Sequence, residues 1–307
     1  MGQFDLLAHG VWGILATPFH GDGLAVDHAS LERLVMLYRQ AGARGVVALG
    51  VLGEAARLDS AERQAVLRTV VEAAGDLPVV AGMGVTATAP AVEEARMAAA
   101  SGAHAVMLPV PSADPARAAD HFHHVSTIAG VGVVVQDHPA ATGIAITPAA
   151  LAGAVRACGV AVAVKAEAPP TAPTIAALAK EITTPIFGGL GGVGLLDELL
   201  AGSAGAMTGF AVPEALVTTV DAWREMGYAA ARASLLPWYP LLLCEAQEKV
   251  SLAVRKEILR RRGVIAEAAV RPPGAPFPLD LTAVLDAHLA AAPLPSASAV
   301  SSERGGA

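Results

Sequence analysis

The chain has 307 residues, 54% of them hydrophobic, 16% charged and 4% aromatic, and its 21 Lys+Arg against 28 Asp+Glu give a formal net charge of −7. That apolar content excludes a disordered chain, since it supplies ample surface for a core. The acidic balance without basic clusters argues against nucleic acid and membrane surfaces as partners, and two distant cysteines, Cys158 and Cys244, suit a reducing, cytoplasmic setting rather than a disulfide scaffold.

The opening stretch MGQFDLLAHG has no basic n-region and carries Asp5, so no secretory signal is expected. Leu6 stands where a myristoylation signal wants Ser or Thr. A first apolar run, VWGILATPF (11–19), is followed by Leu31, Leu34, Val35 and Tyr38 at the i, i+3, i+4, i+7 spacing of one helix face. GVVALG (45–50) comes next, and Asp59 with Glu62 reads as a capping box opening a helix that carries Val66 and Val70. The runs PVVAGMG (78–84), AVMLPVP (105–111) and GVVVQDHP (132–139) follow at regular intervals. VAVKAE (162–167), PIFGGLG (185–191) and GAMTGF (205–210) complete a series of eight. Each is almost wholly apolar until its last residues, as parallel strands buried on both faces are. No apolar run reaches the ~18–20 residues that cross a bilayer; the uncharged stretch Ala140–Val155 is broken by Pro148.

Eight strands alternating with helices predict an α/β fold, a (β/α)8 TIM barrel over residues 10–222. A doubly wound open sheet uses the same local units, and the count of eight favours the barrel. A C-terminal helical extension is expected over 223–292, with the mixed-charge stretch Glu245–Arg262, the Pro-rich loop RPPGAPFPLD (271–280) and a short helix near 281–292. The Pro/Ser/Gly-rich tail 293–307 is expected to be disordered.

In such a barrel the chemistry sits at the C-terminal ends of the strands. Only four of the 21 cations are lysines, and Lys180, Lys249 and Lys256 fall in helical stretches expected to be exposed. Lys165 instead follows the apolar VAV near the end of the sixth strand. An amine in low-dielectric surroundings loses proton affinity, so a fraction is free to attack a ketone or aldehyde and form a Schiff base. The plainer alternative is a strand-end lysine with its head in water.

TPF (17–19) ending the first strand, GVLGE (50–54) after the second and HF (121–122) in the helix after the fourth occur in order. Pro139 after the fifth strand, Lys165 in the sixth and RPP (271–273) near the end complete the set. In that order and spacing, over about residues 10–290, the chain resembles the dihydrodipicolinate synthase/N-acetylneuraminate lyase family of class I aldolases. The resemblance implies a (β/α)8 barrel with a helical extension and a Schiff base between Lys165 and a 2-oxo acid, often pyruvate. It also implies a homo-oligomer, a dimer or tetramer. No cofactor and no metal site is expected.

The departures from the family pattern carry as much information. Its GTTGE or GSTGE has two hydroxyl residues where this chain has Val51 and Leu52, so no hydroxyl relay runs through Val51. The tyrosine of its YNVP-like motif is replaced in QDHP by Gln136, which cannot donate and reclaim a proton near neutral pH. The tyrosine pair expected after strand four is absent from LPVPSADP (108–115), and the arginine that binds the second substrate's carboxylate in dihydrodipicolinate synthases aligns near Ala141. Dihydrodipicolinate synthesis itself is therefore not expected.

Strand alternation puts Gln136 and His138 on one face and Asp137 on the other. His138 either shuttles protons or is hydrogen-bonded to a loop carbonyl. Glu167, two residues after Lys165 on the same face, is either its acid/base partner or a structural salt-bridge partner. Backbone amides of Leu52 and Gly53 are expected to hold the substrate carboxylate, with Val51 and Thr17 beside them, while Glu54 reads as architectural. His121, His123 and His124 in HFHH read as a solvated helix face rather than a metal site. The stretch 189–194 matches GxGxxG but follows the seventh strand, so Gly189 and Gly191 are taken as substrate-pocket lining rather than a dinucleotide site. The resulting reading is a Schiff-base lyase acting on a small 2-oxo acid through Lys165. A hydratase or dehydratase on the same lysine and a catalytically silent metabolite-binding barrel are its alternatives.

Overall fold

The computed structural model describes residues 4–294. Its strands are β1 (Gly10–Ile14), β2 (Gly45–Ala48), β3 (Val79–Gly82), β4 (Ala105–Pro109), β5 (Gly132–Asp137), β6 (Ala161–Ala166), β7 (Ile186–Gly188) and β8 (Gly205–Thr208). All pair in parallel in chain order, and β8 pairs with β1 to close the barrel. α1 (His28–Gln40), α2 (Ser60–Ala74), α3 (Thr88–Ala100) and α4 (Pro115–Ala129) follow the first four strands. The short α5 (Pro139–Thr142) and then α6 (Pro148–Cys158) follow β5, and α7 (Thr171–Leu178), α8 (Leu195–Leu200) and α9 (Pro213–Met226) follow the last three. The C-terminal extension holds α10 (Tyr228–Leu235), α11 (Tyr239–Glu245), α12 (Ser251–Arg261) and α13 (Thr282–Ala291). The expected division after residue 222 falls inside α9, which continues to Met226 before Gly227 turns at φ 78°. The tail beyond residue 294 lies outside the described residues, and Leu294 itself still packs against the core.

Alternation along the strands builds two apolar layers. Trp12, Ile14, Val47, Val80, Met107, Val134, Ala163, Phe187 and Met207 fill the barrel interior. Val46, Val79, Val106, Val133, Val135, Val164 and Ile186 face outward beneath the helices. Full burial of each such side chain stabilises the fold by about 1.5–3 kcal/mol, which explains why the strands read as unbroken apolar runs. The strands are shorter than those runs. β1 stops at Ile14 although Leu15 and Phe19 remain buried, because apolar residues under a loop look the same in sequence as residues in a ladder.

At the helix level the capping box of α2 is present, with Asp59 accepting from the Glu62 N–H and Glu62 accepting from the Asp59 N–H. Two expectations need correction. His121 is not on a solvated face: it is 5% exposed, and its Nδ1 lies 2.9 Å from the Thr88 hydroxyl on α3. His121 packs because α4 is wedged between α3 and α6. His123 and His124 are exposed as expected, although His123 Nδ1 lies 3.1 Å from the Cys158 carbonyl oxygen. Lys256 is not exposed either. It is fully buried, donating to Glu54 Oε1 at 2.6 Å and to the Ala269 carbonyl at 2.8 Å, with its ammonium 4.4 Å from the centre of the Phe19 ring. Arg271 adds its backbone N–H to Glu54 Oε2 and its guanidinium to Glu62. The extension is thus clipped onto the loop after β2, and Glu54 is architectural as the sequence suggested. No helix among the described residues is long and apolar enough to cross a membrane.

Candidate active site

Lys165 stands at the C-terminal end of β6, two positions beyond the interior residue Ala163. Gln136 is its register partner on β5. Its ammonium lies 3.0 Å from Glu167 Oε2, and the Gln136 amide donates to that same oxygen at 2.8 Å. Glu167 is held in turn by its backbone N–H, which donates to the Asp137 carbonyl at 2.8 Å and extends the β5–β6 ladder. All three side chains are buried, each 6% exposed. The sequence placed them correctly in relation to one another.

Gly189 makes room for the carboxylate. A Cβ there would sit 2.4 Å from Glu167 Oε1, so any side chain at this position would displace the acid. Its place beyond β7 therefore concerns Glu167 directly. Burial alone would raise the Glu167 carboxyl, but the Lys165 ammonium, the nearby His138 ring and hydrogen bonds from Gln136 and Lys165 outweigh it and hold it below the ordinary range. Asp137, on the opposite face of β5 by alternation, behaves in the other sense. Burial and then the nearby Glu167 push it up to about 6, and its Oδ1 has no partner among the described residues. His138 follows β5 as the N-cap of α5, and its ring makes no hydrogen bond among the described residues, with Nδ1 buried. The loop-carbonyl alternative for this residue is not what is observed.

The GVLGE segment forms a 3-10 turn, Val51–Gly53, directly after Gly50. The Gly53 N–H donates to the Gly50 carbonyl at 2.9 Å, so it is unavailable to a substrate carboxylate, contrary to the expectation for that residue. The first two N–H groups of the turn, those of Val51 and Leu52, have no acceptor among the described residues and carry the positive end of the local dipoles. The two unengaged N–H groups of the turn are thus those of Val51 and Leu52, one residue earlier than the expected pair. Thr17 also differs from its expected role. Its hydroxyl donates to the Gly53 carbonyl at 2.7 Å and braces the turn from behind. The Gly191 N–H is likewise engaged, by the Thr208 hydroxyl at 2.9 Å, so its amide does not face a ligand. The side chains of Val51 and Leu190 are open to solvent, at 66% and 42% exposure.

Chemically the cluster offers an amine nucleophile, an anionic carboxylate in contact with it, and a neutral amide orienting that carboxylate. Among the described residues no group of three or more His, Cys, Asp or Glu side chains has the arrangement of a metal site.

Comparison with known proteins places this geometry in context. The family model described as the dihydrodipicolinate synthetase family matches residues 7–292. A solved structure of a dihydrodipicolinate synthase from Rhodopseudomonas palustris superposes with a TM-score of 0.87 at 30% identity, over 94% of this chain and 100% of that one. A 4-hydroxy-tetrahydrodipicolinate synthase from Stenotrophomonas maltophilia is 40% identical over 142 residues, which is 45% of this chain. That match spans only about half of the synthase, 48% of its length. An L-2-keto-3-deoxyarabonate dehydratase from Azospirillum brasilense is 29% identical over 274 residues, 86% of this chain and 88% of the dehydratase.

Proposed function

The chain belongs to the dihydrodipicolinate synthetase family, and on that basis we propose that it is a Schiff-base lyase acting on a small 2-oxo acid. The observation that carries the reading is the contact of Lys165 Nζ with Glu167 Oε2 at 3.0 Å, with Gln136 on the same oxygen, at the C-terminal end of the barrel. The Lys165 amine adds to the C2 ketone, and loss of water gives an iminium. The iminium draws electrons from C3, and Glu167 takes the C3 proton to give an enamine. The Val51 and Leu52 amides hold the C1 carboxylate.

The next bond to break divides the alternatives. Dehydration expels a hydroxyl from C4 as water, with the proton now on Glu167 returned to the leaving oxygen; hydrolysis of the unsaturated iminium frees the lysine. Aldol cleavage instead breaks the C3–C4 bond and needs a base on the C4 hydroxyl. One carboxylate that takes a proton and gives it back suffices for the first course. The family's tyrosine position holds Gln136, which supplies no titrating group for the second. The near full-length match to a dehydratase supports the same choice. We therefore favour a carbon–oxygen lyase whose substrate is a 2-oxo acid bearing a C4 hydroxyl.

The test is to incubate the protein with pyruvate and a panel of 2-oxo acids, reduce with borohydride and locate the added mass. A stable adduct on Lys165 is expected. No adduct across the panel would sink the enzyme reading and leave a metabolite-binding barrel. Product analysis with 3-deoxy-2-oxo sugar acids then separates loss of water from release of an aldehyde.

A further inference from the structure

Glu198 is a second buried acid beside this site, and the reaction sketched above gives it no part. It lies on the buried face of α8 with Leu195, Leu196 and Leu199, and is 1% exposed. Its Oε1 accepts a hydrogen bond from the Thr171 hydroxyl at the start of α7, at 2.7 Å, while its Oε2 is buried with no partner among the described residues. The carboxyl occupies space that two glycines leave open. A Cβ on Gly188 would be 1.7 Å from Oε2, and one on Gly194 would be 3.2 Å from Oε1. Glu167 presses in the same way on the next residue, Gly189, whose Cβ would be 2.4 Å from Oε1. The two acids therefore lie against consecutive glycines on opposite faces of the chain, with the Gly188–Gly189 backbone between them.

We propose that Glu198 is a positioning residue for the chemistry at Lys165: a neutral carboxylic acid set behind the Gly188–Gly189 peptide, it leaves the negative charge to Glu167 and weakens that arrangement when it ionises. This inference rests on the Schiff-base reading. A carboxylate with a buried, unpartnered oxygen is costly, whereas the neutral acid is tolerated there. Burial pushes the Glu198 carboxyl up, the Thr171 hydrogen bond draws it down, and Glu167 and Asp197 raise it again, to about 7. The charged groups facing it are thus both acidic, one at the end of β6 and one on its own helix, with Thr171 from α7 its one hydrogen-bond donor. Two neighbouring acids pushed in opposite directions can divide the roles of charge carrier and proton holder. Once Glu198 ionises, the added negative charge strengthens proton binding at Glu167 and favours the ammonium form of a nearby amine, so less free amine is left to attack.

Pyruvate serves as the probe, with hydrogen–deuterium exchange at its methyl group followed by NMR across pH, alongside borohydride trapping. In the wild type the exchange rate should fall roughly tenfold as pH rises through about 7. Glu198→Gln, which keeps an acceptor for Thr171 and cannot ionise, should match the wild type on the acid side and lack that fall. Thr171→Val removes the donor that favours the anion and should move the fall to higher pH. A Glu198→Gln profile superimposable on the wild type, or a fall that stays in place in Thr171→Val, overturns the inference. The second variant decides the matter if the first does not fold. Absence of any Lys165 adduct in the wild type would instead defeat the Schiff-base reading itself.

Discussion

Lys165 and Lys256 are both buried ammonium groups paired with a glutamate, at 3.0 and 2.6 Å, yet the two regions are built for different ends. Lys256 is sealed. Its partners are Glu54, the Ala269 carbonyl and the face of Phe19, and none of its surface reaches solvent. Burial outweighs the attraction of Glu54 and brings its amine down to about 8. Lys165 has a single acceptor among the described residues, Glu167, and stands on the interior face at the strand ends, where a barrel opens to substrate. A buried lysine–glutamate pair is therefore no signature of catalysis by itself. What separates the two is how many of the three ammonium donors are already engaged and where on the barrel the pair sits.

That contrast breaks first at the lysines themselves. Lys165→Arg should abolish the borohydride-trapped adduct and lower turnover by at least ~1,000-fold, because a guanidinium is no nucleophile. Its thermal unfolding should stay close to the wild type. Lys256→Met should do the reverse. It removes the ammonium from Glu54 Oε1 and leaves Arg57 on Oε2 at 2.7 Å as the remaining ion pair, and should cost about 1.5–3 kcal/mol in denaturant unfolding, while the folded fraction still forms the adduct. Glu54→Gln added to Lys256→Met should recover part of the loss. An adduct mapped to Lys256, or equal destabilisation by the two single substitutions, would erase the distinction.

Much of this molecule is legible in the sequence where the signal is local. Eight apolar runs and the Asp59/Glu62 capping box depend on neighbours within a few residues, as does the two-residue step from Lys165 to Glu167. The burial of Lys256 depends on Glu54, 202 residues away, so its mixed-charge helix reads as exposed. The free N–H groups after β2 differ by one residue from the expected pair because a 3-10 hydrogen bond engages Gly53, and no side-chain pattern announces that bond. Glu198 does not stand out in the sequence, because LLDELL reads as an ordinary amphipathic turn. The signal was present all the same. Glu198 lies three residues after Leu195 on its apolar face, near a strand that ends at Gly188 and is followed by Gly189.

Within the Lys165 region the contrast sharpens at Glu167. If Glu167 takes the C3 proton, Glu167→Gln should still form the adduct but slow deuterium exchange into pyruvate by about 100-fold. If it were only a salt-bridge partner like Glu54, exchange would persist near the wild-type rate and stability would fall instead.

The smallest effect is expected at Gln136, and its direction is the informative part. Gln136 is one of two side chains donating to Glu167 Oε2 and helps keep that carboxyl ionised. Gln136→Leu removes a hydrogen bond to a charged group, which is worth about 1.5 kcal/mol, or roughly tenfold. With that donor gone the folded-state value of Glu167 rises, so the acid limb of the exchange profile should move to higher pH while the alkaline side changes little. The residue thus acts through the charge on its neighbour, in place of the phenol whose position it holds. If instead the whole profile drops without moving, Gln136 contacts the reacting molecule directly, and the carboxylate next to Lys165 needs no help from β5 to stay charged.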